Sequence, residues 1–318
     1  MSRGARTLTA LLAGALVLLL PLVYLRATAS GGQSPPRASS RLPLVIAAAG
    51  DIACDPRDPE FQRPTGSACQ QRETSDLFLR RKPAAVLPLG DNQYKSGILR
   101  AFQVSYDKSW GRLLEVSHPV PGNHEYGNKD AQGYFDYFGS RAGDRTKGYY
   151  SYDVGDWHIV ALNSECLHAG GCGSGSPQER WLRADLAAHP TACTLAYWHR
   201  PRFSSGLHGD NAQTSDFWSD LYDAGAEIVL SGHDHDYERF APQTPTAKSD
   251  PGRGIREFVV GTGGAEFYRF HGVQPQSEVR QPRTFGVLFL TLRANGYDWR
   301  FEAVAPATFA DRGSGTCH

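Results

Sequence analysis

Short apolar runs recur along the chain, and each stops abruptly at a polar residue or at a glycine followed by one. These runs occupy residues 44–49, 84–89, 118–121, 194–198 and 227–231. Runs of this length with such sharp ends predict buried β-strands. Between them, apolar positions recur with helical spacing over residues 71–81, 178–189 and 214–224. Because strands alternate with helices along the chain, the pattern predicts an α/β fold.

Two later stretches have the pattern of antiparallel hairpins. Residues 149–154 and 157–163 flank Gly155-Asp156, and residues 285–293 and 297–304 flank Asn295-Gly296. Both dipeptides favour the tight turns that join neighbouring antiparallel strands. We therefore expect mixed sheets rather than purely parallel ones.

Polar side chains with metal-binding chemistry follow the predicted strands. They are Asp51, Asp91, Tyr94, Asn123, His124, His199, His233 and His235. In open α/β sheets ligands collect at the carboxyl ends of strands, which is where these residues fall. Oxygen and imidazole donors together suit iron, zinc or manganese better than calcium or magnesium. The set is larger than one tetrahedral zinc uses, and it fits two metal ions that share a bridging carboxylate.

Each of these residues also has an ordinary structural explanation when it is taken alone. Asp51 and Asp91 could be turn or cap residues, and Asn123 could cap a turn. Tyr94 could be a packed aromatic side chain, and His199 a histidine of a loop. Their joint occurrence at successive strand ends is what favours a metal centre.

Five segments of the chain carry a family resemblance. They are Gly50-Asp51-Ile52-Ala53, Gly90-Asp91-Asn92-Gln93-Tyr94, Gly122-Asn123-His124-Glu125, His199 and Gly232-His233-Asp234-His235. The set resembles the calcineurin-like metallophosphoesterase superfamily and, within it, the purple acid phosphatases. Most superfamily members have a histidine where this chain has Ala53, whereas purple acid phosphatases use a tyrosine that matches Tyr94. The resemblance covers roughly residues 44–304 and implies the metallo-dependent phosphatase fold, a four-layer αββα sandwich with two mixed β-sheets.

The resemblance also implies a role for each residue. The first metal ion would be bound by Asp51, Asp91, Tyr94 and His235. The second would be bound by Asp91, Asn123, His199 and His233, so that Asp91 is the bridge. His124 would lie beside the substrate phosphate as a stabiliser or leaving-group acid, and His208 resembles the family's second substrate-side histidine. We expect Glu125 and Asp234 to orient neighbouring imidazoles.

The function implied is hydrolysis of phosphate monoesters by a metal-bound hydroxide. Fe(III) would occupy the Tyr94 site as a phenolate complex, with Fe(II), zinc or manganese in the second site. Two alternatives stay open: a phosphodiesterase or nucleotidase on the same metal centre, and a non-catalytic surface protein that binds phosphate. The partner expected is a phosphate-ester substrate. No nucleic-acid partner is expected, because 33 basic residues balance 33 acidic ones.

The N-terminal residues 1–29 predict a targeting segment. Arg3 and Arg6 precede an apolar run over 8–25, and Ala27-Thr28-Ala29 fits a signal-peptidase site. The run is also long enough to resemble a membrane span, so a cleaved signal peptide and a retained membrane anchor both stay open. Either case places the body outside the cytoplasm, secreted or anchored, with membrane contact only through an uncleaved segment. Residues 30–41 predict a flexible linker and 42–318 the metallophosphoesterase domain.

All six cysteines follow that segment. An even number in an exported chain predicts disulfides, and six cysteines allow 15 pairings. Pairs Cys54–Cys69 and Cys166–Cys172 would close short loops, which would leave Cys193 to reach Cys317. The sequence does not decide among the pairings.

Overall fold

The computed structural model describes residues 43–63, 65–191 and 193–318. The predicted targeting segment 1–29 and linker 30–41 lie outside the described residues. Within the described ranges, no helix is both long and apolar enough to cross a membrane.

The described residues contain twelve strands. In the part of the chain described, they are β1 (Leu44–Ala49), β2 (Ala85–Pro88), β3 (Tyr150–Val154), β4 (Trp157–Ala161), β5 (Thr194–Tyr197), β6 (Ile228–Ser231), β7 (Tyr237–Phe240), β8 (Arg256–Val260), β9 (Ser277–Gln281), β10 (Gly286–Arg293), β11 (Gly296–Ala303) and β12 (Ala310–Thr316). The hairpins predicted at Gly155-Asp156 and Asn295-Gly296 are β3–β4 and β10–β11, and both pairs are antiparallel.

Helices connect many of these strands. The α-helices are α1 (Pro59–Gln62), α2 (Gln71–Arg81), α3 (Leu99–Val104), α4 (Gln132–Phe138), α5 (Pro177–Ala188) and α6 (Ser215–Asp223). Short 3-10 helices span Tyr106–Lys108, Trp110–Val116, Glu125–Gly127, Lys129–Ala131, Gly139–Ala142 and Ala212–Thr214. The predicted helices correspond to α2, α5 and α6. The start of α5 is capped by Ser176, whose hydroxyl accepts the backbone N–H of Glu179, with Pro177 at the first helical position.

One predicted strand is wrong as an element. Residues 118–121 form no strand, and in and just before this segment the chain pairs along β2 only through isolated parallel bridges, Val86 with Ser117 and Leu89 with Val120. Pro119 and Pro121 lack the backbone N–H that a regular ladder needs, so only alternate residues can donate to β2. The segment still runs along β2 and carries the following loop to the same edge.

The strands form two mixed sheets, as predicted. One has the order β12-β11-β10-β1-β2, with β1 and β2 parallel and the other neighbours antiparallel. The second has the order β3-β4-β5-β6-β8-β7-β9, with a parallel centre from β4 to β8 and antiparallel edges. Two mixed sheets with intervening helices are the mixed α/β arrangement that the sequence indicates.

The five-stranded sheet is covered on both faces. On one face Phe78 of α2 contacts Phe289 of β10, with ring centroids 5.9 Å apart. On the other face Trp299 of β11 contacts Phe258 of β8, with centroids 5.8 Å apart, which joins the two sheets. Successive residues of a strand point to opposite faces of a sheet, and Phe289 and Trp299 point to opposite faces of this one. The sheet therefore has helix α2 on one side and the second sheet on the other.

The outer face of the seven-stranded sheet is covered by α5 and α6. Leu182 of α5 and Trp218 of α6 belong to one buried cluster with Val229 of β6. The neighbouring residues Ile228 and Leu230 belong instead to the core between the sheets. The layers therefore follow the order helix, sheet, sheet, helix, which is the predicted αββα sandwich.

The carboxyl ends of the central strands meet at one edge of the sandwich. The backbone N–H of Gly50 after β1 donates to Val260 of β8 at 2.8 Å, and Gly263 donates to Gly50 at 2.8 Å. The N–H of Gly232 after β6 donates to the carbonyl of His199 after β5 at 3.0 Å. The bonds of Gly50 tie the loops of one sheet to those of the other, and the bond of Gly232 ties two loops of the seven-stranded sheet. The polar residues that follow the strands converge as a result.

Three disulfides fasten this framework. Cys54–Cys69, Cys166–Cys172 and Cys193–Cys317 are paired, and the described residues contain no free cysteine. The first holds the loop after β1, the second closes the loop after β4, and the third ties the C-terminus to the start of β5. Each such bond typically contributes about 2–4 kcal/mol to the free energy of unfolding.

Candidate metal centre

Four of the predicted ligands meet around the hydroxyl of Tyr94. This oxygen lies 3.0 Å from Oδ1 of Asp51, 3.4 Å from Oδ2 of Asp91 and 2.9 Å from Nε2 of His235. Nε2 of His235 is also 3.3 Å from Oδ1 of Asp51. These four residues are the ones that the family resemblance assigns to the first metal ion. We call them the tyrosine group.

Four predicted ligands also meet around Nε2 of His199. This nitrogen lies 3.2 Å from Oδ2 of Asp91, 3.2 Å from Oδ1 of Asn123 and 3.2 Å from Nδ1 of His233. We call these four residues the histidine group. Asp91 belongs to both groups through the same oxygen, Oδ2, which is the arrangement expected of a bridging carboxylate.

The imidazoles are oriented by backbone carbonyls. Nδ1 of His199 donates to the carbonyl of Leu89 at 2.9 Å, and Nδ1 of His235 donates to the carbonyl of Glu266. In both cases the other ring nitrogen, Nε2, is left to face the centre. Such bonds fix the tautomer and the ring orientation, which is how ligand histidines are usually held.

Glycine is required before several of these residues by close packing. A Cβ at Gly122 would lie 2.2 Å from Oδ1 of Asp91, and a Cβ at Gly90 would lie 2.5 Å from Nδ1 of His199. Asp51, Asp91 and His233 themselves have positive φ angles of 60°, 45° and 71°. Left-handed backbone at non-glycine residues is costly and tends to cluster at functional sites. The chain therefore tolerates local strain to bring these side chains together.

Burial and mutual charge shape the protonation of the centre. Burial alone would raise the pKa of the Asp91 carboxyl, but the charges of His199, His124 and His233 hold it well below its usual range. Burial would lower the pKa of His199, yet the Asp91 carboxylate raises it to about 10. Burial, together with the charges of Asp51 and Asp91, raises the pKa of Tyr94 well above 10. The buried side chains of the centre therefore shift one another's pKa values strongly, as closely packed ionisable groups do.

The donor set fits a binuclear centre. One carboxylate oxygen of Asp91 and one ring nitrogen from each of His199 and His233 lie within 4.8 Å of one another, and all three residues are buried. Asp51, Tyr94 and Asn123 add oxygen donors, and His235 adds a further imidazole nitrogen. Hard oxygen and imidazole ligands in this proportion suit iron, zinc or manganese.

A second group of possible ligands lies elsewhere, at the start of β4. Both ring nitrogens of His158 are already paired, with Asp153 at 2.9 Å and with Asp185 at 2.9 Å. His189 stacks on the His158 ring, with centroids 4.4 Å apart. This cluster is explained by hydrogen bonds and ion pairs, and we assign no cation to it.

Comparison with known proteins identifies the family. The model of the calcineurin-like phosphoesterase family matches residues 44–237 of this chain. The chain belongs to the calcineurin-like phosphoesterases. Among curated relatives, it is 29% identical to purple acid phosphatase 21 of Arabidopsis thaliana over 79% of this chain and 56% of the relative. It is 26% identical to purple acid phosphatase 15 of the same plant over 72% of this chain and 47% of the relative.

The solved structures agree on the fold. Purple acid phosphatase PPD1 from yellow lupin, Lupinus luteus, superimposes with a TM-score of 0.69 at 16% identity, over 88% of this chain and 55% of that chain. The chain spans about half of the length of the curated relatives it matches. The purple-acid-phosphatase family implies a binuclear metal centre, and the tyrosine and histidine groups supply candidate ligands for it.

Two half-exposed histidines flank the centre. Nε2 of His124 lies 3.8 Å from Oδ2 of Asp91, and its ring lies 4.4 Å from that of Tyr94. The ring of His208 stacks on His233 with centroids 4.1 Å apart. One histidine therefore lies beside the tyrosine group and the other beside the histidine group. The substrate-side roles of both residues stay predictions.

The two residues expected to orient imidazoles behave differently. Asp234 does so, since its Oδ1 accepts from Nδ1 of His208 at 3.0 Å. Glu125 acts on the backbone instead, because its carboxylate accepts the N–H of Gly122 at 2.8 Å and that of Gln93 at 3.1 Å. Its pKa is raised to about 8 by burial and by the charge of Asp91. Glu125 thereby ties together the loops that carry Asp91 and Asn123.

Residues that the sequence did not single out complete the surroundings. The ring of Tyr268 stacks on His235, with centroids 3.9 Å apart. Nη1 of Arg200 lies 2.9 Å from Nε2 of His233, and its Nε donates to Glu165 at 2.7 Å. The only available signal for Arg200 was its place next to His199, and Tyr268 carried none. A cavity of about 360 Å³ opens here, and its lining includes Glu165, Arg200, His208 and His233.

Proposed function

We propose that this chain hydrolyses phosphate esters, preferring monoesters, at two metal ions bound by the tyrosine and histidine groups. The observation that carries the proposal is that one oxygen, Oδ2 of Asp91, faces both groups at once, 3.4 Å from the hydroxyl of Tyr94 and 3.2 Å from Nε2 of His199. Such an arrangement is suited to a shared ligand of two cations.

A cation pair of this kind supplies Lewis acidity that activates water and neutralises the phosphate of the ester. In the first site we propose Fe(III), because a phenolate from Tyr94 is a hard anionic donor. In the second site, Asn123 and two imidazoles suit Fe(II), zinc or manganese. Burial with two carboxylates raises the pKa of the free Tyr94 phenol, so a strong positive charge is needed to remove its proton.

The half-exposed histidines have distinct roles in this proposal. Nδ1 of His124 donates to the carbonyl of Lys95 at 2.6 Å, which leaves Nε2 turned towards Asp91. There Nε2 would meet a phosphate oxygen of the bound ester. Nδ1 of His208 donates to Asp234, which leaves Nε2 to hold the proton that a departing alkoxide takes. Asp234 is itself fixed by the hydroxyl of Ser204 at 2.5 Å. Asp234 is therefore a positioning residue for His208.

Three disulfides favour an oxidising compartment, so we place this activity outside the cytoplasm, where cell fractionation should find it. Recovery of the protein mainly from the cytoplasmic fraction would contradict that placement.

Turnover of two esters of one alcohol tests the function. Metal-depleted protein, reconstituted with iron and zinc, should hydrolyse 4-nitrophenyl phosphate with a kcat/KM roughly tenfold or more above that for bis(4-nitrophenyl) phosphate. The doubly charged monoester should gain more from two cations than the singly charged diester does. The reverse ratio would indicate a phosphodiesterase. Phosphate binding without turnover of either ester would indicate a non-catalytic phosphate-binding protein.

The leaving-group role of His208 has its own test. His208→Asn should lower kcat for an alkyl phosphate by about 100-fold, because an alkoxide needs a proton as it departs. For 4-nitrophenyl phosphate, whose leaving group is stable without a proton, the loss should stay within about tenfold. His189→Asn, at an exposed position after α5, is the matched control and should change neither rate. An equal loss of kcat for both esters would show that His208 is not the acid that protonates the leaving group.

A further inference from the structure

Arg200 is held rigidly at the wall of the cavity beside the histidine group. Its Nε donates to Oε1 of Glu165 at 2.7 Å, and its Nη2 donates to Oε2 at 3.3 Å. Its backbone N–H donates to the hydroxyl of Ser164 at 2.9 Å. The loop carrying Glu165 is closed by the disulfide Cys166–Cys172. A two-point pairing of this kind fixes the plane of a guanidinium group.

The remaining nitrogen, Nη1, depends on His233. It lies 2.9 Å from Nε2 of His233, and among the described residues it has no other hydrogen-bond partner. Nδ1 of the same ring faces His199 and the centre at 3.2 Å. A neutral imidazole that gives Nδ1 to a cation carries its hydrogen on Nε2. Both facing nitrogens would then be donors, so Nη1 would have no acceptor in the protein.

A charged N–H group that has no acceptor in the protein and lies beside a cavity can bind an anion. Arg200 keeps 29% of its side chain exposed, and the cavity it lines also contains His208. His208 stacks on His233, the residue that Nη1 contacts. We propose that Arg200 is a substrate-binding residue, whose Nη1 donates to a terminal phosphate oxygen of the ester and favours dianionic monoesters over diesters. This proposal rests on the proposed function, since it places the phosphate at the same centre.

Direct binding of inorganic phosphate tests the role of Arg200 without turnover. Wild-type protein and the variants Arg200→Gln and Arg200→Lys would be loaded with metal, assayed for metal content, and titrated with phosphate by calorimetry. Arg200→Gln should weaken phosphate binding about tenfold, because a charge-assisted hydrogen bond is lost. Arg200→Lys should restore part of it. The ratio of monoester to diester kcat/KM should fall in Arg200→Gln, with the metal content unchanged.

Arg202→Gln is the matched control, because it removes a like charge two residues away. Arg202 lies over the Phe203 ring, 4.3 Å from its centroid, so its loss should leave phosphate affinity unchanged. Unchanged phosphate affinity in Arg200→Gln, or a loss explained wholly by lower metal content, would overturn the proposal. If the wild-type protein hydrolyses no ester but Arg200→Gln still binds phosphate more weakly, the proposed function is wrong. The role of Arg200 in phosphate binding is then still supported.

Discussion

Asp91→Asn is expected to abolish most of the phosphatase activity and to lower the metal content from two ions per chain to one or fewer. Loss of an outer partner of a metal ligand typically costs roughly 10–100-fold, so loss of a ligand shared by both sites should cost at least about 1000-fold in kcat/KM. The side chain keeps its shape but loses the charge that both the tyrosine and histidine groups face. Metal analysis and initial rates on 4-nitrophenyl phosphate measure the two effects.

The backbone should tolerate this substitution. Asp91 has a φ of 45°, and asparagine adopts the left-handed region more readily than most residues. Asp130→Asn is the matched control, since Asp130 is exposed, has a φ of 53° and contributes to neither group. The control should keep both metal content and rate. An Asp91→Asn protein with full metal content and wild-type turnover would show that Asp91 is not the bridge.

Tyr94→Phe is expected to remove the visible colour of the iron-loaded protein. A phenolate bound to Fe(III) gives a charge-transfer absorption, and phenylalanine has no oxygen to supply it. The substitution also removes the hydroxyl that contacts Asp51 at 3.0 Å and His235 at 2.9 Å, so the rate should fall by about tenfold or more. A visible spectrum before and after treatment with a chelator measures the band, which the chelator should also remove from the wild type.

Tyr268→Phe tests whether the visible band comes from Tyr94 or from the neighbouring tyrosine Tyr268. Tyr268 stacks on His235 at 3.9 Å between centroids, and Tyr268→Phe keeps that stacking. Its visible band should therefore match that of the wild type. A band that persists in Tyr94→Phe, or disappears in Tyr268→Phe, would show that Tyr94 is not the phenolate ligand that gives the band. A colourless and active iron-free enzyme would instead replace the proposed iron with zinc or manganese.

Local sequence patterns predicted many of the helices and strands, because residues close together in the chain largely determine where helices and tight turns form. Helices α2, α5 and α6 follow apolar spacing, and the two hairpins follow their turn dipeptides. The segment at 118–121 shows where such patterns fail. Its apolar composition indicates a strand, but its prolines remove donors, so it only bridges β2 at single residues.

Spacing along the chain identified the candidate ligands, since glycine beside aspartate, asparagine or histidine recurs at strand ends. It could not show which atoms meet. That Oδ2 of Asp91 faces both Tyr94 and His199 depends on loops from two sheets, joined by bonds such as Gly50 to Val260. Glu125 is similar, because its partners Gly122 and Gln93 become neighbours only when their loops pack together.

By itself, the sequence determined the type of chemistry available: oxygen and imidazole donors placed after successive strands, with cysteines in even number. Only the tertiary structure decided how these groups are shared, which cysteines pair, and that Arg200 lies within hydrogen-bond distance of His233. The physical reason is that the residue at each position fixes the chemistry of its side chain. The distance between residues far apart in the chain is set by the packing of the two sheets against each other.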